Sequence, residues 1–150
     1  LTIRNINKLE IMKSKIIILS IHPQHIKKIL AGEKLYEYRK QIPTEVEYVV
    51  VYATVPIKKI VAVIKVENIL KDTPENIWIK TQQNSGVSYE FFMKYFTGQP
   101  KAYAIKFQHI YKLPQPMDIT IIDGVKCAPQ AYVYVNESLS ALSQTLYLKI

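Results

Sequence analysis

Apolar residues run almost without a break from Ile16 to Ile21 and stop at His22-Pro23. A β-branched run of that length, closed by a proline, predicts a strand buried on both faces. The period then changes. Ile26, Ile29 and Leu30 recur at three- and four-residue spacing behind Pro23, which predicts a short helix with His25, Lys27 and Lys28 turned outward and Gly32 as its left-handed stop. Lys34 to Arg39 follows directly and reads as extended, so its side chains alternate. Lys34, Tyr36 and Tyr38 fall on one face, and Leu35, Glu37 and Arg39 on the other.

Beyond a proline-bearing connection at Ile42 to Val46, two runs rich in Val, Ile and Tyr, Glu47 to Val55 and Lys59 to Glu67, predict paired strands. Val55-Pro56-Ile57-Lys58 is the turn between them. Asp72 to Lys80, with Pro74 and Trp78, reads as a polar loop holding a short helix, and Thr81 to Gly86 as a loop. Ser88 suits the N-cap of a helix through Phe96 that Gly98 ends. Lys101 to Tyr111 alternates as a strand that Pro114 and Pro116 close. Ile119 to Ile122 and Ala131 to Val135 predict strands, and Ser138 to Leu148 a terminal helix. Five to seven short, mostly antiparallel strands with two or three flanking helices make an α+β fold around a small sheet or barrel.

At 150 residues the chain suits a single core. No apolar stretch approaches the roughly 20 residues of a membrane-spanning helix, so no membrane partner is expected. A single cysteine, Cys127, excludes an internal disulfide and reads as a small buried filler; with three scattered histidines it forms no zinc spacing. No cofactor or metal is indicated, and a reducing, cytoplasmic setting fits. Residues 1–11 read as an extension outside the native fold, with Met12 as the natural start and no secretory signal. The net charge of +8 attracts phosphate backbones, which makes RNA a candidate partner and DNA a further one. Such charge also arises as a merely solvated face.

The most informative stretch is Leu30 to Arg39, which sets glycine, lysine, glutamate and arginine at G-x-K-x-x-E-x-R spacing behind a helix. Gly32 allows close backbone approach to a ligand. Lys34 offers a point charge for phosphate or a desolvated amine, and Arg39 offers a planar fork for carboxylate, phosphate or base edge. Glu37 can orient that fork. Apart from Arg4, Arg39 is the only arginine in a chain with eighteen lysines. Arginine at this position suggests a bidentate or stacked contact that lysine cannot make.

This motif resembles the signature of the ASCH superfamily. The resemblance reaches back through Leu19-Ser20-Ile21-His22-Pro23 and forward through Val51-Tyr52-Ala53 and Gly98 to Ile105, covering roughly Ile16 to Tyr111. It implies an ASCH domain over 12–112, of the PUA-like β-barrel type, with 113–150 an extension packed on it and the motif lining a cleft between barrel and helices. It also implies an RNA-related function. One bacterial branch of the superfamily is an amidohydrolase of acetylcytidine nucleosides, in which a motif lysine acts with a threonine and a later glutamate. That lysine falls on Lys34 and the motif's final arginine on Arg39. The threonine position falls on Glu37, which cannot replace a hydroxyl nucleophile but can serve as base to a water. Thr81 to Gly86 contains no glutamate to match the later one.

Three functions follow. The first is a binding protein for RNA or a nucleotide in a basic cleft, with Gly32, Lys34, Glu37, Tyr38, Arg39, His22 and Trp78 as ligand contacts. The second is a hydrolase of an acylated nucleoside or of RNA, with Lys34 and Glu37 as its catalytic pair. The third is a protein-interaction module using 131–150. Beside them stands a structural reading: Glu37 and Arg39 an ion pair closing a barrel end, Lys34 a solvated turn residue, Gly32 a helix cap. Among Tyr36, Tyr38, Tyr52, Trp78, Tyr89 and Tyr95, one or two are expected to offer a stacking surface, first Tyr38 and Trp78. His22 and Gln24 sit at the strand-to-helix turn beside the motif.

Overall fold

The structure, a computed structural model, describes residues 15–150. The expected extension over 1–11 and the start at Met12 lie outside the described residues.

Six strands form one sheet in the order β2-β5-β4-β3-β1-β6. They are β1 (Ile16–Ile21), β2 (Tyr36–Arg39), β3 (Tyr48–Ala53), β4 (Lys59–Asp72), β5 (Ala102–Met117) and β6 (Tyr132–Tyr134). All pairings are antiparallel except β1 with β3, which run parallel with Ile16 opposite Tyr48. The register slips at several points along β4, against both β3 and β5. Such bulges bend and twist a sheet, and here it curls into a half-barrel with β2 and β6 as its edges.

The strands alternate between two cores. Ile17, Leu19 and Ile21 of β1, with Val49 and Val51 of β3 and Ile64 of β4, face a cluster capped by Ile26 and Ile29. Ile16 and Ile18, with Val50 and Val63, face a second cluster completed by Leu113, Ile122, Val135, Leu142 and Leu146. The continuous apolar run of β1 thus follows from burial on both sides.

Among the described residues there are four α-helices, one more than the upper expectation: α1 (Pro23–Leu30), α2 (Pro74–Thr81), α3 (Tyr89–Tyr95) and α4 (Leu139–Leu146). Pro23 and Pro74 occupy first-turn positions. Hydroxyls of Thr73, Ser88 and Ser138 accept from the backbone N–H groups of Asn76, Phe91 and Ala141. Leu30 is exposed rather than buried. A third cluster joins α2 and α3 to the sheet edge through Ile77, Phe92, Phe96 and Tyr38.

Several expectations are corrected. β4 extends to Asp72 and β5 to Met117, so Pro114 and Pro116 lie within β5 instead of closing it. The β4–β5 register slips between the pairs Ala62↔Lys112 and Ile60↔Met117, and that irregular stretch tolerates prolines that donate nothing. Ile119–Ile121 is a turn of 3-10 helix, not a strand; Asp118 accepts from the Thr120 N–H at 3.0 Å and caps it. Cys127 is exposed and belongs to no core cluster, so it is not a buried filler. No helix among the described residues is long and apolar enough to cross a membrane.

Candidate functional site

The sheet does not close, and the gap between edge strand β2 and β1 is where the motif lies. Helix α1 ends at Ala31, and Gly32 takes φ +78°, letting the N–H groups of Glu33 and Lys34 both return to the Lys28 carbonyl. The chain leaves this turn straight into β2, which brings Lys34, Glu37, Tyr38 and Arg39 to one cavity of about 680 Å³.

Arg39 bridges the gap. Its Nη2 donates to Glu37 Oε2 at 2.8 Å and to the Ser20 carbonyl of β1 at 2.8 Å, and its Nε donates to the same Glu37 oxygen at 3.2 Å. The ion pair is largely buried, a setting in which charge-assisted bonds need full pairing. Nη1, with two N–H groups, has no protein partner among the described residues. The clamp between strands and an unspent donor edge thus belong to one side chain.

Lys34 is 1% exposed although it forms part of the cavity wall, so the reading of it as a solvated turn residue is corrected. Its Nζ donates to the Ser85 carbonyl at 2.7 Å and lies 4.9 Å above the Tyr38 ring centre. Burial lowers its pKa from 10.5 to about 8; the Glu37 carboxylate opposes this, and Lys28 and Arg39 reinforce it. Tyr38, 8% exposed, pairs its hydroxyl with that of Thr81 at 2.7 Å. Because Thr81 spends its proton on the Ile77 carbonyl, Tyr38 is the donor. Burial pushes the Tyr38 pKa up to about 12.

The turn at 82–86 is fastened to α1 and the motif at three successive carbonyls. Leu35 N–H donates to Asn84, Lys34 Nζ to Ser85 and Lys28 Nζ to Gly86. Gly86 has φ +72°, and a Cβ there would meet Cβ, Cγ and Cδ of Lys34 at 2.7–2.8 Å. A lone glycine in a polar loop was the only hint of this close approach.

Other expected contacts are distributed unevenly. His22 lines the cavity and shares a 3.2 Å hydrogen bond between its Nδ1 and Thr54 Oγ1. Gln24 is exposed and does not line it. Gly32 is outside the lining, with open space where a Cβ would stand, so its role is the helix stop and not ligand approach. Trp78 is also outside, because α2 directs it against Tyr89 and Phe92 in the third cluster. The aromatic wall instead comes from Phe91, Phe92 and Tyr95 of α3, with Tyr38 and Tyr52. His25, expected outward, faces in and packs on Phe91 at 5.7 Å. Lys58 and Thr54 of the β3–β4 turn, and Ala128, Pro129 and Gln130 from the last third of the chain, complete the lining. Ser20 Oγ donates to the Pro129 carbonyl at 2.8 Å and holds that wall. No group of three potential metal ligands occurs among the described residues.

No family model matches the chain. Over 89 residues it is 28% identical to an ASCH domain-containing ribonuclease of Zymomonas mobilis, a stretch spanning 58% of this chain and 60% of that protein. Over 105 residues it is 30% identical to the large ribosomal subunit protein uL22 of Ureaplasma parvum, spanning 69% of this chain but 33% of that one. The chain thus spans less than two thirds of the curated relatives it matches. Crystal structures of an ASCH protein from Zymomonas mobilis superpose with TM-scores of 0.76–0.77 at 22–24% identity, covering 88–89% of this chain and 94–98% of those chains. The N-terminal domain of Staphylothermus marinus McrB superposes more loosely, with a TM-score of 0.50 at 12% identity over 89% of this chain.

Proposed function

Proceeding from the fact that this chain has the PUA-like fold of an ASCH domain, we propose that it binds RNA, or a nucleotide-sized part of it, in the cavity beside β2. The observation that carries this reading is the convergence of Lys34, Arg39 and Lys58 with one carboxylate, Glu37, opposite an aromatic wall, in a space of nucleotide size. The Nη1 edge of Arg39 suits a phosphate oxygen or base edge, and Phe91 and Tyr95 suit an unpaired base. The likeness to a ribonuclease and to a ribosomal subunit protein points the same way. A reducing, cytoplasmic compartment suits the exposed thiol of Cys127.

Fluorescence anisotropy with a short labelled single-stranded RNA tests the reading. Affinity should fall steeply with salt, and Arg39→Ala should weaken it by about 1 to 3 kcal/mol. Unchanged affinity in that variant removes the site.

A second reading, hydrolysis or cleavage of the ligand, is favoured by Lys34. An amine whose pKa sits at about 8 beside a carboxylate can exchange a proton near neutral pH. Glu37 Oε1 accepts no hydrogen bond among the described residues, which leaves it available to a water or hydroxyl. Short RNAs and acetylated nucleosides incubated with the protein and analysed by mass spectrometry should give products that Lys34→Ala does not. Equal product from both discards it.

A further inference from the structure

His25 belongs to the cavity but not to the motif. It sits on the first turn of α1 with its ring 5.7 Å from Phe91 and 6.3 Å from His22. Its Nδ1 is shut off from solvent and has no hydrogen-bond partner, and its Nε2 bonds to no described residue. A buried nitrogen is left bare at lower cost as a lone pair than as an N–H, which carries an unmet donor into a dry site. The ring proton therefore resides on Nε2, and by elimination Nε2 is the nitrogen that meets the open cavity.

A second proton would have to settle on Nδ1, where no acceptor waits. Burial acts in the same direction and lowers the pKa of His25; Glu37 opposes it, while Lys34, His22 and Lys28 add to it. Near pH 7 the ring is a neutral donor set among charged groups.

We propose, building on the RNA-binding reading, that His25 donates Nε2–H to an oxygen of the bound nucleotide and so supplies a specific, uncharged contact beside Arg39. Arg39 and Lys58 attract any phosphate, whereas a single fixed N–H selects for the placement of one acceptor.

Two measurements decide this. The first needs no ligand: nitrogen-proton NMR of the histidine rings in the free protein should show His25 as the Nε2–H tautomer near pH 7. The Nδ1–H tautomer, or an imidazolium, overturns the proposal. The second is anisotropy with a short labelled single-stranded RNA of mixed sequence across a range of salt. His25→Phe, which keeps a ring beside Phe91, should weaken binding roughly tenfold, as expected for one lost hydrogen bond, with the salt dependence unchanged. His25→Gln, whose amide nitrogen reaches about as far as Nε2, should restore most of the affinity, and His25→Asn, whose amide is nearer the Nδ1 position, should not. Wild-type affinity in His25→Phe, or rescue by Asn and not Gln, refutes the role of His25 and leaves the RNA-binding reading standing. Absence of binding by the wild-type protein overturns both. Should His25→Phe fail to fold, the tautomer and the contrast between Gln and Asn still separate the two outcomes.

Discussion

Replacing Gly86 by alanine tests whether the 82–86 turn really holds Lys34 in place. Two penalties coincide at this position. The backbone at φ +72° is left-handed, which costs a side-chain-bearing residue roughly 1–2 kcal/mol. The added Cβ would also sit 2.7–2.8 Å from three carbons of the Lys34 stem, a side chain that is 1% exposed and tied by its Nζ to Ser85. Overpacking of this kind typically costs a further ~1–3 kcal/mol, for a total of about 2–5 kcal/mol, a large share of a stability that is usually 5–15 kcal/mol. Gly32 and Gly98 provide the control, since both have positive φ but nothing within 4 Å of a built Cβ. Urea denaturation followed by circular dichroism should therefore rank Gly86→Ala well below Gly98→Ala and Gly32→Ala. Equal losses in all three would mean that the lysine stem does not depend on Gly86, and the account of how Lys34 is positioned would fall.

The depressed pKa of Lys34 has a signed consequence for stability. Between about pH 8 and 10 the folded chain has released this proton while the unfolded chain still holds it, so stability rises with pH across that window. Relative to Lys34→Met, the wild type should gain about 2 kcal/mol from pH 8 to 10; a parallel pair of profiles disproves the shift. Above about pH 10 Tyr38 acts the other way, because its raised value makes the folded state the tighter proton binder. We further propose that 113–150 is one cooperative unit with the sheet. Leu142→Ala, in the core shared with Ile16 and Ile18, should lower the stability of the whole domain by about 2–5 kcal/mol in a single transition. Two separate transitions in denaturant would show that the segment folds apart.

The elements legible in the sequence were those with a strong local signal. β1 shows its two buried faces as an unbroken apolar run, and α1 is framed by Pro23 and Gly32. The alternation of Lys34 to Arg39 placed Glu37 and Arg39 together, as the 2.8 Å ion pair has them. Alternation by itself leaves Lys34 on the opposite face, whereas the motif reading had it in the same cleft; that it lines the cavity follows from β2 being an edge strand beside an open gap. His25 differs from the expectation because α1 buries Ile26 and Ile29 in the first core cluster while His25, on the same short helix, lines the cavity. Trp78, expected at the cavity, lies outside it, and Phe91, for which no role was expected, lines it. Which aromatic lines the cavity depends on how α2 and α3 rotate against each other, and local periodicity does not encode that. The Pro129 wall arises from a contact between residues 109 positions apart, beyond any local pattern.

Ser20 is where distant parts of the chain meet: its carbonyl receives Arg39 and its hydroxyl reaches Pro129. As the protein emerges from the ribosome, β1 and the G-x-K-x-x-E-x-R segment appear early, yet the chamber they border lacks a side until some ninety further residues have been made. A nascent chain stalled before Ala128 would therefore present the charged groups with that side of the chamber missing.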